Sequence, residues 1–353
     1  MNGESIELHI LSVFALLSFF VILLINKYSN FISKGALLDK DYSKPQAFHK
    51  EAVPRSGGLA IIFLFVIFIF INNFLFENNF LDYLIISFLL FVLGFLDDLK
   101  INLSPNIRLI AMIAALILSI NFLSVEINRT GFFFLDEWLK NNIFQTIFVL
   151  LCFIFIINGS NFIDGFNGLL CIHFIIINVI FLSINLSNSH LDFSFFITGQ
   201  IVIILTFLFF NFPSGKIFLG DGGSYMIGAL TALNAINTSH LNPYISPVLF
   251  AVILFYLFFE VFFSFIRKVY SKKSPLQPDE LHLHMLIYKK LETYKSSSSN
   301  NYLTSLIINF SYLALLSPLF FFYKNHIFLR YAFIGLVVTY VLIYFRIRKN
   351  QLK

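Results

Sequence analysis

Residues 8–25 read LHILSVFALLSFFVILLI, a run whose only polar members are one histidine and two serines. About 20 apolar residues in a helix cross the hydrocarbon of a bilayer. Ten further apolar segments follow, centred near Val66, Leu90, Ala115, Phe153, Ile176, Leu205, Gly228, Leu254, Ala314 and Val337. The whole 353-residue chain is 58% hydrophobic and only 12% charged, against about 25% charged in soluble domains. A soluble core cannot absorb that much Phe, Ile and Leu; a bilayer can. The reading is an all-α polytopic membrane protein of about eleven transmembrane helices, forming one domain over residues 1–353. No basic residue precedes the first run and no small-residue cleavage site follows it, so it reads as a permanent span and not a cleaved signal. Cys152 and Cys171 lie in or beside apolar segments, which suggests packing and not a disulfide framework or a zinc site. No internal repeat is visible, so duplicated transporter halves are not expected.

Charge placement gives the orientation. The net charge is +5, but its distribution speaks against nucleic acid. Short cytoplasmic loops are enriched in Lys and Arg. Of the 24 such residues, all but Arg129, Lys140, Lys324 and Arg330 fall in residues 27–55, 100–108, 216, 267–295 and the tail from 346. These are alternate connections, so the N-terminus lies outside and the C-terminus is cytoplasmic. The longest cytoplasmic loop, residues 268–301, holds an amphipathic helix near 278–295, then a flexible polar run, SSSSN (296–300).

The polar stretches hardest to explain by packing all fall on this cytoplasmic face. HKEAVPRSGG (49–58) brings Lys50 and Arg55 to a glycine-ended loop, a form suited to phosphates; its plainer reading is a positive-inside loop touching lipid headgroups. Asp97 and Asp98 end the third span beside Lys100. Adjacent carboxylates at the negative end of a helix dipole are unfavourable unless a cation relieves them, and magnesium on a diphosphate would do so; a solvated helix end is the alternative. NGSNFIDGFNG (158–168) places Asn158, Asn161 and Asp164 three apart, on one face if helical, or forms a polar turn. PSGKIFLGDGGS (213–224) offers Lys216 and Asp221, either a metal-binding carboxylate or an N-cap. Glu260 lies inside the ninth span, where an ionisable group is a functional candidate or part of a helix–helix hydrogen bond. PDELHLH (278–284) carries His282 and His284, which could grip phosphates or simply be solvated.

Together and in this order, these segments resemble the polyprenyl-phosphate N-acetylhexosamine-1-phosphate transferase family. Its proline-arginine-x-glycine-glycine motif matches Pro54, Arg55, Gly57 and Gly58, and its paired aspartates match Asp97 and Asp98. Its asparagine–aspartate–glycine motif matches Asn158, Asn161, Asp164 and Gly165. Its glycine–aspartate pair matches Gly220 and Asp221, and its histidine loop matches Asp279, His282 and His284. The Pro-Arg-x-Gly-Gly form looks more like the undecaprenyl-phosphate GlcNAc-1-phosphate branch than the muramoyl-pentapeptide branch. Three positions depart from the pattern: Asn167 and Glu280 stand where the family often has aspartate and arginine, and Met285 where it often has a further histidine.

The resemblance implies a cytoplasmic active-site cleft in the bacterial inner membrane, where a UDP-sugar and polyprenyl phosphate react with loss of UMP. This is the initiating step of cell-envelope polysaccharide synthesis. It implies Mg2+, with Mn2+ as the alternative, held by Asp221 and Asp97. Asp98 would activate or orient the lipid phosphate, so the catalytic set is Asp97, Asp98 and Asp221. Lys50, Arg55, Lys100, Lys216, His282 and His284 would hold phosphates, and Asn158, Asn161 and Asp164 the nucleotide. The partners are the two substrates and the membrane, with no nucleic acid; a homodimer is left open. Two rival readings are a membrane transporter of nucleotide sugars or anionic lipids and an envelope scaffold. UMP release in detergent separates the first from an enzyme, and lack of metal dependence would mark the second.

Overall fold

The structure is a computed structural model that describes residues 3–32, 34–40, 52–101, 103–275 and 279–351. Each of the eleven apolar segments is helical. In chain order come α1 (Gly3–Ile32), α2 (Gly57–Phe76), α3 (Leu81–Asp98) and α4 (Pro105–Phe122). A short helix, α5 (Phe133–Trp138), was not anticipated by the sequence pattern. Next are α6 (Asn142–Ile163), α7 (Leu169–Ser187), α8 (Leu191–Asn211) and α9 (Gly220–Leu241). The ninth segment is not one straight span. It divides at Leu254 into α10 (Pro247–Ile253) and α11 (Phe255–Tyr270), bent by 69°. The expected amphipathic helix of the long loop is α12 (Leu283–Tyr294), and α13 (Asn300–Leu316) and α14 (His326–Gln351) close the chain. A two-residue antiparallel ladder, β1 (Leu38–Asp39) with β2 (Val53–Pro54), is the only strand pairing among the described residues.

Among the described residues, eight helices are long and apolar enough to cross a membrane, nine if the bent pair is counted as one. The apolar segments outside that set are α3 and α9. The first carries Asp82, Asp97 and Asp98; the second is rich in Gly, Ala, Thr and Asn. Their polarity has a structural reason. Helix α9 is enclosed by α2, α3, α6 and α7, and nearly every residue from Gly220 to Thr238 is buried, so it meets protein and not lipid. The outer helices show the reverse, with Phe74, Phe122 and Phe209 all more than three-quarters exposed. Exposed aromatic surface on that scale suits hydrocarbon and not water.

Small residues set the spacing around α9, as in membrane bundles generally. A Cβ on Gly58 would lie 2.5 Å from Gly223 N, and one on Gly94 would lie 2.4 Å from the Asp221 carbonyl oxygen. Helices α2 and α3 therefore touch the first turn of α9 backbone to backbone. Deeper in the bundle, Asn234 of α9 donates to Asn178 of α7 at 2.6 Å and to Gln200 of α8 at 2.7 Å. Buried amides pair across helices because hydrocarbon offers them no other partner.

The two ends of the bundle differ in chemistry. At the end where α4 finishes and α6 and α10 begin, Arg129 donates to the Asn242 carbonyl, Arg330 to the Gly131 carbonyl, and Lys324 lies over the Tyr244 ring. At the other end, the first turn of α9 meets the ends of α3 and α6.

Candidate active site

The site is built on the N-terminus of α9. Gly220 adopts φ +79, and a Cβ there would fall 2.6 Å from the Asp98 carboxylate. Glycine thus admits both the left-handed turn and the close approach of α3. Asp98 uses that space. Its Oδ1 accepts the Asp221 N–H and its Oδ2 the Gly222 N–H, each at 2.9 Å. A carboxylate against free N–H groups and the positive end of a helix dipole is stabilised. Asp98 is 3% exposed, and the nearest cation is Arg55 Nη1 at 3.7 Å.

Asp97, one residue earlier, points elsewhere. Its Oδ2 accepts from Arg108 Nη1, and the same nitrogen lies 3.4 Å from Asp221 Oδ2. A single cation position therefore serves both carboxylates. Asp221 is aimed from its other oxygen: Asn161 Nδ2 donates to Oδ1 at 3.0 Å and also reaches Ser224 Oγ at 3.0 Å. Asp164 caps α6 close by. Burial pushes its carboxyl well above the usual carboxylate range, the charge of Asp221 adds to this, and Arg55 opposes it. Arg55 donates from Nε and Nη2 to Asp39 Oδ2 at 3.0 and 2.7 Å. Burial works against its charge, but Asp39, with Asp221 and Asp98 adding, outweighs that and holds the guanidinium firmly protonated.

A second group of residues flanks the first. His282 Nδ1 is 2.9 Å from Glu260 Oε1. The His282 ring stacks on His284 at 5.3 Å and packs against Phe162 at 4.9 Å. Phe162 is the neighbour of Asn161, so the histidine segment rests against the element that aims Asp221. His284 is fully buried, and burial drives its ring down to about 3, with Glu260 opposing and His282 adding. It is therefore neutral at physiological pH and lines the back of His282. Asp279 accepts from Arg267 of α11. Burial would raise its carboxyl, but that partner outweighs it and holds the group below the usual range.

Of the residues singled out from sequence, Arg55, Asp97, Asp98, Asn161, Asp164 and Asp221 come together. Lys100 and Lys216 are exposed at the same end, with no side-chain ion pair among the described residues. Asn158 donates to the Ile154 carbonyl of its own helix. Lys50 lies outside the described residues. Among the departures, Asn167 donates to the Pro213 carbonyl at 2.8 Å, Glu280 pairs with Lys289 at 2.7 Å, and Met285 is buried in the core. Sequence reasoning missed Arg108 and Asp39. Arg108 carried a readable signal: a cation in the first turn of α4, at the unfavourable end of a helix dipole, implies nearby acids. Asp39 carried none, since only the fold of the first loop pairs it with Arg55.

The donor set fits a divalent ion. Five aspartates, counting Asp39 behind Arg55, stand against two arginines, leaving excess negative charge, and Asp97 and Asp221 converge on the Arg108 guanidinium. Among the described residues, no group of three His, Cys, Asp or Glu side chains forms a full metal cage. Mg2+ is commonly held this way, by one or two carboxylates with substrate phosphates and water completing the shell.

The profile described as glycosyl transferase family 4 matches residues 80–239, from the start of α3 to the end of α9. That range contains every aspartate of the cluster and Arg108. The chain is 29% identical to undecaprenyl-phosphate alpha-N-acetylglucosaminyl 1-phosphate transferase of Thermotoga maritima over 80% of its own length and 82% of the relative's. It is 28% identical to a probable undecaprenyl-phosphate N-acetylglucosaminyl 1-phosphate transferase of Bacillus subtilis, over 78% and 77%. Phospho-N-acetylmuramoyl-pentapeptide-transferase of Dictyoglomus turgidum is also 28% identical, over 76% and 87%. With relatives matched along most of its length and the acidic cluster inside the matched region, the chain is similar to glycosyl transferase family 4 and to these lipid-phosphate transferases.

Proposed function

We propose that this protein transfers an N-acetylhexosamine 1-phosphate from a UDP-sugar to undecaprenyl or another polyprenyl phosphate, releasing UMP, as the initiating step of cell-envelope polysaccharide synthesis. The observation that carries the reading is the convergence of Asp97 and Asp221, from α3 and α9, on the Arg108 guanidinium, with Arg55 beside Asp98. Both reactants are anions, so catalysis needs charge neutralisation and in-line placement more than a protein nucleophile.

The roles follow from position. Asp97 and Asp221 would hold Mg2+, which when bound supplies charge neutralisation at the diphosphate. Asn161 fixes the rotamer of Asp221. Arg108 would turn from the carboxylates to the phosphates; a guanidinium can grip phosphate oxygens bidentately. Asp98 keeps the first turn of α9 in place and sets Arg55 where the lipid phosphate would enter, so it orients that group. Asn158 and Asp164 remain assigned to the nucleotide, and Lys50, Lys100, Lys216 and His282 to phosphates. We further place this end of the bundle at the cytoplasmic face of a bacterial inner membrane, crossed eleven times. The polyprenyl tail then stays in lipid while its phosphate reaches the interface. A transporter reading draws no support, because Glu260, the charge it would use, has both oxygens engaged by other residues.

The decisive experiment supplies purified protein with undecaprenyl phosphate and several UDP-sugars, with and without chelator, and scores lipid-linked product and UMP. Turnover should appear with an N-acetylated sugar and vanish on chelation. Asp221→Asn should stay folded and lose turnover by at least about 100-fold, the scale of one preorganised electrostatic group. Near-normal product from a metal-saturated Asp221→Asn protein would exclude the metal assignment.

A further inference from the structure

Glu260 sits inside α11 at 1% exposure, in a segment that otherwise reads as apolar span. Isolating a carboxylate there is costly unless donors surround it. Three donors do so, two from the start of α12 and one from α14. Oε1 lies 2.9 Å from His282 Nδ1 and accepts the Leu283 N–H at 3.1 Å; Oε2 accepts the Tyr340 hydroxyl of α14 at 2.7 Å. The Leu283 N–H is the first free donor of α12, so Glu260 caps that helix from within the bundle.

We propose that Glu260 is a positioning residue, buttressed by Tyr340, that locks the His282 ring with Nδ1–H toward the bundle and Nε2 toward the cleft. An ionised carboxylate can only accept, so the shared proton belongs to Nδ1. Which ring nitrogen carries the proton is set by the partner of the other. Phe162 and His284 pack against the ring and hinder its turning. His282 thus presents its Nε2 lone pair next to the element that aims Asp221. It can take up a proton there and donate it to a phosphate oxygen. Tyr340 extends the device to the last helix, far along the chain from the acidic cluster.

This inference rests on the transferase reading, and its test separates the two. Wild type, Glu260→Gln and Tyr340→Phe are purified, with kcat and KM for the UDP-sugar measured and 15N-imidazole spectra recorded. The His282 signal is identified by its loss in His282→Gln. Glu260→Gln should lower kcat by about 10–100-fold, the usual effect of removing such a support, with KM nearly unchanged. Its His282 signal should move from the Nδ1–H form to the Nε2–H form. Tyr340→Phe should lower kcat less and keep the Nδ1–H form. The proposal is overturned if His282 in the wild type carries its proton on Nε2, or if Glu260→Gln retains wild-type kcat. It is overturned as well if Tyr340→Phe, should Glu260→Gln not fold, leaves kcat and the spectrum untouched. Absence of wild-type turnover would sink the transferase reading, while the spectra would still judge the role of Glu260.

Discussion

Asp97 and Asp98 are neighbours with opposite duties. A helix turns about 100° per residue, so Asp98 faces the first turn of α9 and Asp97 faces Arg108. Their pairing was legible in the sequence and the resemblance divided their roles, but the partner that each one meets was not legible. Asp164 allows a test by pH. Its carboxyl is raised in the folded protein by burial and by Asp221. Below about pH 3.9, where an unfolded aspartate also keeps its proton, the group has no differential effect. Above that pH the unfolded chain ionises first, so the fold loses stability as pH rises. Asp164→Asn should therefore stabilise the metal-free protein at pH 7.5. The gain should fade toward pH 4. Thermal unfolding in detergent reads this, and a variant less stable than wild type at pH 7.5 would contradict it.

Close approach decides which helices matter. Gly159 of α6 faces the backbone of α11, and a Cβ there would lie 2.2 Å from the Leu257 carbonyl oxygen. Gly159 is two residues from Asn161, and Leu257 is three from Glu260, so one contact spaces both halves of the site. Gly159→Ala should force the helices apart and cost about 1–3 kcal/mol, the usual range for overpacking, with turnover falling as Asn161 leaves Asp221. Gly165→Ala is the control, since a Cβ there meets nothing within 4 Å. Equal melting temperatures for the two variants would mean that α6 and α11 are not held by this contact. The bend between α10 and α11 belongs to the same scale. Its sequence is continuously apolar, with no Pro or Gly at Leu254, so no local signal announced it.

Across the whole molecule, polarity runs from one end to the other. Arg129, Lys324 and Arg330, three of the four basic residues outside the proposed cytoplasmic loops, gather at the end opposite the aspartates. Orientation can be tested with single cysteines on a Cys152→Ser, Cys171→Ser background. Ser189→Cys, in the turn between α7 and α8, should react with a membrane-impermeant maleimide in intact cells. Ser298→Cys, beyond α12, should react only after the membrane is opened. The opposite pattern would invert the topology and place the acidic cluster outside.

Hydrophobic run length is a local property, and it determined the helices, their rough number and their alternation. Charge and motif order pointed to the end of the bundle where the aspartates gather. Tertiary structure alone decided which oxygen meets which nitrogen: Arg108 between Asp97 and Asp221, Asp39 behind Arg55, and Glu260 beneath His282. These pairs join residues up to 113 positions apart, and their partners are chosen by helix rotation and spacing. Rotation and spacing are set by glycine contacts between backbones, which no single segment of the sequence contains.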